Sequence, residues 1–300
     1  MRKWLVGGIV LVVVGLLVVV SLQTPKKLKI TTIRESHHVI NEEEQGGILE
    51  IDLFMNQRQA PLTKKENITR VSLQDQENII PMDLQAITLK SRVQILEEEY
   101  EEWSYQFKIT FPQECAINPA LLVFDTIFLQ EIVIDIGAVS YYNQSALTTD
   151  PLHLTQLKAL VAYDGASYLS GIIMRVLPHQ VPMSLVMIEP LDCELVAGTP
   201  IEISSDEVVA TTPIEELVTI SYHRMNDDVT VSPVLINQEV TLLIPLYYHE
   251  PYHISELAFR IHVCIEDQMM VYYVPTFCFF KDSIKKVSVS ELIFYEFSID

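Results

Sequence analysis

The chain has 300 residues, of which 49% are hydrophobic and 20% are charged. This composition predicts a folded chain with a buried core and excludes a mainly disordered one. Its 20 basic and 40 acidic residues give a net charge of −20, which excludes nucleic acid as a partner because binding phosphate requires a basic surface.

The chain begins with a segment that predicts membrane attachment. Behind a short basic N-terminus at residues 1–3, the run from Trp4 to Leu22 carries no charge. As a helix it would be about 28 Å long, close to the thickness of a bilayer core. We therefore predict a transmembrane anchor at residues 4–22, with a cleaved signal peptide as the alternative. The usual layout of an exported, anchored protein places the C-terminal part outside the cytoplasm.

Residues 23–46 lack a sustained apolar period. They mix lysine, threonine, histidine and asparagine, and two glycines follow at Gly46 and Gly47. This composition predicts a stalk that holds a folded domain away from the lipid. His37 and His38 could bind a metal weakly, but a pair of polar tether residues is the preferred interpretation.

Residues 47–148 show a period of two, which predicts half-buried strands. Leu49, Ile51, Leu53 and Met55 alternate with mainly polar residues, and Tyr105, Phe107, Ile109 and Phe111 do the same. Ile132, Ile134 and Ile136 share one face of a further strand. Prolines recur between these runs, so we predict a first sandwich of short antiparallel strands.

Residues 149–178 are predicted to form the junction between two domains, with a short helix or a hairpin. Asp150-Pro151 could begin a helix. Asp164-Gly165, between two short apolar runs, is instead typical of a hairpin turn.

Residues 179–300 predict a second sandwich. Apolar, branched and aromatic runs recur; they are 217–222, 240–246, 257–264, 270–274 and 287–297. The predicted fold is therefore all-β, with two immunoglobulin-like β-sandwich domains behind a single N-terminal transmembrane helix, although the Cys…Trp…Cys spacing of true immunoglobulin domains is absent.

The four cysteines form no C-x-x-C pair, which excludes a zinc ribbon and a thioredoxin-type redox pair. They are Cys115, Cys193, Cys264 and Cys278. The last two lie in predicted neighbouring strands, so a cross-strand disulfide and a role as small buried hydrophobes both stay open.

The stretch His249-Glu250-Pro251-Tyr252-His253 matches the zinc-protease pattern H-E-x-x-H. That chemistry requires both histidines on one helical face, and Pro251 together with the preceding strand-like residues argues against a helix. We therefore predict no catalytic, cofactor-binding or metal-binding residues, and interpret the match as accidental.

Two further features favour structural interpretations. The acidic run Glu97 to Glu102, broken only by Tyr100, predicts a solvated face or loop rather than a calcium site. The paired tyrosines predict one ring inside and one outside each strand; they are Tyr141-Tyr142, Tyr247-Tyr248 and Tyr272-Tyr273.

Together these features predict a non-enzymatic, membrane-anchored binding protein outside the cytoplasm, serving another envelope component as an accessory or assembly partner. A zinc-dependent hydrolase using His249, Glu250 and His253 is one alternative. A carbohydrate-binding module that uses the outward tyrosines is another.

Overall fold

The computed structural model describes thirteen stretches of the chain; they are residues 26–42, 46–57, 60–75, 78–111, 113–128, 131–144, 152–163, 167–178, 181–203, 232–248, 253–254, 256–278 and 291–299. These residues form strands, turns and two short 3-10 helices, Pro61–Thr63 and Lys65–Asn67, with no α-helix among them. The predicted all-β class is therefore confirmed for the described part of the chain.

The strands are, in chain order, β1 Lys26–Ile33, β2 Glu35–Glu42, β3 Gly47–Met55, β4 Ile68–Gln74, β5 Ile79–Ile95, β6 Glu98–Ile109, β7 Cys115–Thr126, β8 Ile132–Gln144, β9 Leu152–Tyr163, β10 Ser167–Pro178, β11 Met183–Pro190, β12 Leu195–Ala197, β13 Ile201–Ile203, β14 Val234–Ile236, β15 Val240–Tyr248, β16 Glu256–Ile265, β17 Gln268–Cys278 and β18 Leu292–Ile299.

The first sandwich is a single sheet folded over on itself, with the order β18-β1-β3-β6-β5-β4-β7-β8-β2. The fold line lies within β5, whose first residues, Ile79 to Met82, pair with β4. From Asp83 onward the same strand pairs with β6. The two layers enclose one hydrophobic core that draws on strands from both.

The predicted alternation determines which residues enter this core. Leu49 of β3 faces Phe107 of β6 across the ladder, and Ile51 faces Tyr105. All four side chains are buried, whereas their neighbours Ile48 and Glu50 are exposed. Ile132, Ile134 and Ile136 are fully buried, as their shared face predicts.

The predicted stalk is wrong for residues 26–42, which form β1 and β2. Leu28 and Ile30 are fully buried in the first core. The intervening Lys27 and Lys29 point outward, where they pair with Glu296 and Glu98. The alternation of lysine with aliphatic residues is a strand signal, but its polar half makes the segment resemble a tether.

The second sandwich consists of two sheets around a separate core. One sheet has the order β12-β15-β10-β9, with β13 also paired to β15, and the other has the order β14-β11-β16-β17. Leu169, Ile172 and Leu242 from the first sheet meet Phe259 and Ile261 from the second in this core. Each sheet covers the apolar face of the other.

The predicted boundaries between the two sandwiches shift in two places. Residues 152–163 and 167–178 form β9 and β10, which pair antiparallel, so the described residues of this segment follow the hairpin alternative rather than the helix. Strand β18 belongs to the first sandwich, where it pairs along its whole length with β1. The predicted strand at 217–222 lies outside the described residues.

None of the helices in the described part of the chain is long and apolar enough to cross a membrane. The predicted N-terminus at residues 1–3 and the predicted anchor at residues 4–22 lie outside that part.

The turn between β5 and β6 yields a stability prediction. Leu96 and Glu97 both have positive φ, 47° and 68°, a conformation that suits asparagine and glycine better than residues with larger side chains. Replacing the two residues with Asn-Gly should raise the free energy of unfolding by about 1 kcal/mol, measured by urea denaturation. A variant with Leu96→Asn and Glu97→Ala, which keeps a Cβ at the second position, should show little of this gain. Equal stabilisation by both variants would contradict the conformational explanation.

Candidate functional site: the seam between the two sandwiches

The two sandwiches meet along a polar surface that we call the seam. Its first-sandwich side is formed by β2, β8 and the residues around Glu114 and Asn118. Its second-sandwich side is formed by the turn Leu191 to Glu194, by His253 and by Arg260. Strands β2, β7, β8 and β16 position Ser36, Asn118, Tyr142 and Arg260, and a turn supplies Leu191 to Glu194.

A short backbone bridge joins His253 to the edge of β2. The amide of Ser36 donates to the carbonyl oxygen of His253 at 2.8 Å, and the amide of His253 donates to the carbonyl oxygen of Arg34 at 3.3 Å. This is a parallel bridge between Glu35 and His253. It covers part of an edge that β2 would otherwise leave open.

The turn Leu191 to Glu194 inserts polar groups against the first sandwich. The hydroxyl of Ser36 donates to Oδ1 of Asp192 at 2.8 Å. The amide of Cys193 donates to Oγ of Ser140 at 2.8 Å, and the side-chain amide of Asn118 donates to Oε1 of Glu194 at 2.7 Å. Because Asp192 and Glu194 are almost fully buried, these bonds are shielded from water and are hard to replace.

Several titratable groups at the seam and on β2 have pKa values shifted by burial. Burial lowers the pKa of His37 and of His38 to about 4, and it also lowers the pKa of His253. Burial raises the pKa of the Cys193 thiol to about 12, so this cysteine stays protonated and unreactive.

Arg260 of β16 makes a cationic contact across the seam. Its Nη2 donates to Oε1 of Glu114 at 2.7 Å and to the carbonyl oxygen of Asn143 at 3.0 Å. Its guanidinium carbon lies 5.6 Å from the centroid of the Tyr142 ring, within cation–π range. Partial burial of Glu114 opposes its ionisation, but the bonds from Arg260 and from the amide of Asn143 hold its pKa below the usual value.

Removing this guanidinium should loosen the seam. We expect Arg260→Ala to lower the free energy of docking between the two sandwiches by about 1 kcal/mol, because the exposure of Glu114 reduces the usual value of a hydrogen bond to a charged group. Arg260→Lys is the matched control, and it should recover only part of the loss because an ammonium cannot copy the planar fork. Hydrogen exchange at the amide of Cys193 measures the effect. Unchanged protection in Arg260→Ala would show that this contact contributes nothing to docking.

The zinc-protease pattern is only partly visible in the structure. His253 is buried in the bridge to β2, while His249 and Glu250 lie outside the described residues. In the described stretches no group of three or more His, Cys, Asp or Glu side chains is arranged to hold a metal ion. His37 and His38, predicted as tether residues, lie instead in β2.

The β16–β17 register excludes the Cys264–Cys278 disulfide. Cys264 lies opposite Met269, near one end of the hairpin, and Cys278 lies opposite Glu256, near the other. At about 3.3 Å per residue the two positions are more than 20 Å apart, whereas a disulfide requires Cα atoms within about 7 Å.

The acidic run takes part in the β5–β6 hairpin rather than in a loop alone. Glu97 occupies the turn, and the following acidic residues belong to β6. Glu98 pairs with Lys29 and Glu101 pairs with Arg92, so local cations neutralise part of the run.

The tyrosine pairs at 141–142 and 247–248 each place one ring in a core, as the alternation predicts. Tyr141 is fully buried against Phe111, and Tyr248 is buried with its hydroxyl bonded to the carbonyl oxygen of Leu169. The outward member Tyr142 lies under Arg260 at the seam, so its ring is already covered on one face.

The comparisons with known proteins identify no family. No family model matches the chain, and no curated protein matches it. A solved chain described as BspA_C_WT shares 9% identity over 83% of this chain and 98% of its own, with a TM-score of 0.19. The Streptococcus agalactiae AgI/II polypeptide BspA C terminal domain (WT) shares 8% identity over 83% and 97%, with a TM-score of 0.20. Likeness at this level carries no argument about function.

Proposed function

We propose that the chain is a membrane-anchored binding protein outside the cytoplasm, which presents two immunoglobulin-like sandwiches as one rigid body to a protein partner in the envelope. The observation that carries this proposal is the seam, because its hydrogen bonds from Ser36, Asn118 and Arg260, the first of them buried, join the two sandwiches. A fixed arrangement lowers the entropic cost of binding a partner that contacts both units.

The net charge and the uncharged N-terminal run support the same proposal. The uncharged run at residues 4–22 would tether the chain. The net charge of −20 favours a cationic partner surface and slows non-specific association with anionic lipid.

The test is to extract the full-length chain gently from its native membrane and to identify the co-purifying proteins by mass spectrometry. The proposal expects a partner in fixed stoichiometry, less of it with Arg260→Ala, and an intermediate amount with Arg260→Lys. A chain that emerges alone would contradict the proposal. Bound zinc that is lost on substituting His249 and His253 would favour the hydrolase alternative instead.

A further inference from the structure

Asp192 carries a buried carboxyl group whose two oxygen atoms have different surroundings. Oδ1 accepts one hydrogen bond from Oγ of Ser36 and one from the amide of Glu194, both at 2.8 Å. Oδ2 is buried and has no hydrogen-bond partner among the described residues. The residue is only 2% exposed, so water does not readily replace the missing partner.

No lysine or arginine in the described stretches pairs with this carboxyl group. The titratable groups that interact with it come from several elements of the seam; they are Glu35 on β2, Tyr142 on β8, and Cys193 and Glu194 in its own turn, and His253 lies beyond Ser36. An ionised Asp192 would therefore face other carboxylates without a compensating cation.

The protonated form fits this geometry better than the ionised form. A proton on Oδ2 leaves Oδ1 free to accept both observed hydrogen bonds, and it replaces a buried charge with a buried unpartnered O–H, which costs less. Burial, together with the charges of Glu194 and Glu35, outweighs the two hydrogen bonds and raises the pKa of Asp192 to about 6.

We propose that Asp192 is a proton-dependent latch: the turn Leu191 to Glu194 docks more tightly against the first sandwich when the carboxyl group of Asp192 is protonated. The contribution of this residue to docking is complete at low pH, and it declines as the carboxyl group ionises. The pKa is 3.8 in the undocked turn and about 6 in the docked one. Linkage therefore predicts that the equilibrium constant for docking falls about tenfold between pH 5 and pH 7.

The nearby histidines act in the opposite direction. Burial lowers the pKa of His38 and of His253, so their contribution to docking increases as pH rises. The pH dependence of the wild type alone would mix both effects. Comparison with Asp192→Asn, which keeps an acceptor oxygen for Ser36 but cannot ionise, isolates the contribution of Asp192 because the histidines are common to both proteins.

The test is hydrogen exchange on the full-length chain at pH 5, 6 and 7, expressed as protection factors that correct for the intrinsic pH dependence of exchange. The amides of Ser36 and Cys193 are the reporters because both donate across the seam. We expect the ratio of wild-type to Asp192→Asn protection to fall about tenfold from pH 5 to pH 7. A ratio that stays constant within twofold would overturn the proposal.

A titration of the wild type keeps the proposal testable if Asp192→Asn does not fold. The side-chain carboxyl carbon of Asp192, observed by NMR in the full-length chain, should titrate with a midpoint near 6. In Ser36→Ala, which removes one donor to the ionised form, the midpoint should move higher. A midpoint near the ordinary value of 3.8 would overturn the proposal.

Discussion

Replacing Gly137 with alanine, which adds one methyl group, should strongly destabilise the first sandwich. Gly137 has a φ of 104°, and an added Cβ would lie 2.2 Å from the backbone oxygen and 2.7 Å from the backbone nitrogen of Glu35. Backbone atoms cannot turn aside as a side chain can. We expect Gly137→Ala to lower the free energy of unfolding by about 3 kcal/mol or more.

The effect should extend to the seam, because Gly137 faces Glu35 in the parallel pairing of β8 with β2. Displacing β2 would move Ser36, which bonds both His253 and Asp192. Urea denaturation followed by fluorescence of Trp103, which packs against the first core, measures the loss. Protection of the Cys193 amide should fall at the same time.

Gly198→Ala is the matched control for this substitution. Its added Cβ would lie 2.6 Å from an atom of the Tyr247 ring and 3.0 Å from a side-chain atom of Pro245. Since the Tyr247 ring can shift, we expect a smaller loss, about 1 kcal/mol. Equal losses in the two variants would show that the close approach of β2 to β8 is not what Gly137 provides.

Acid should lower the free energy of unfolding, because buried histidines must take up protons. His38 is 6% exposed, and burial lowers its pKa from 6.5 to about 4. The folded state retains the neutral form of His38. Its contribution to the free energy of unfolding is therefore complete above pH 6.5 and is lost as the pH falls toward 4. The shift corresponds to about 3 kcal/mol of unfolding free energy over this window.

His38→Gln should remove this pH-dependent contribution to the free energy of unfolding, since glutamine does not titrate. Urea denaturation at pH 4, 5, 6 and 7 should show a smaller loss of stability on acidification in the variant than in the wild type. The matched control is His153→Gln, which changes an exposed histidine on β9 and should follow the wild type. An identical pH dependence in His38→Gln and the wild type would mean that His38 is not buried as described.

The strands that could be predicted are those whose signal is local. The alternation around Leu49 and Tyr105 determines which face is buried, so the sequence predicts both the strands and much of the first core. Their pairing partners could not be predicted, because sequence spacing carries no information about contacts between distant segments. The pairing of β1 with β18 joins residues near opposite ends of the described chain.

The seam was harder to predict than the cores. Ser36, Asn118 and Asp192 are polar residues at unremarkable positions in the sequence, and their roles follow only when both sandwiches are in place. One local signal was available: Gly137 interrupts a branched apolar run, which is typical of a close backbone approach. His37 and His38 gave a misleading signal, because adjacent histidines after Arg34, Glu35 and Ser36 suggest exposure rather than burial.

The central claim is that the seam holds the two sandwiches in one orientation. The most direct measurement is the distance between spin labels at Thr88 and Thr155, exposed on β5 and β9, by double electron–electron resonance on the full-length chain. Labels carried by unnatural amino acids would leave the native cysteines in place. We predict a single narrow distribution that broadens in Arg260→Ala. A broad distribution in the wild type would contradict the claim.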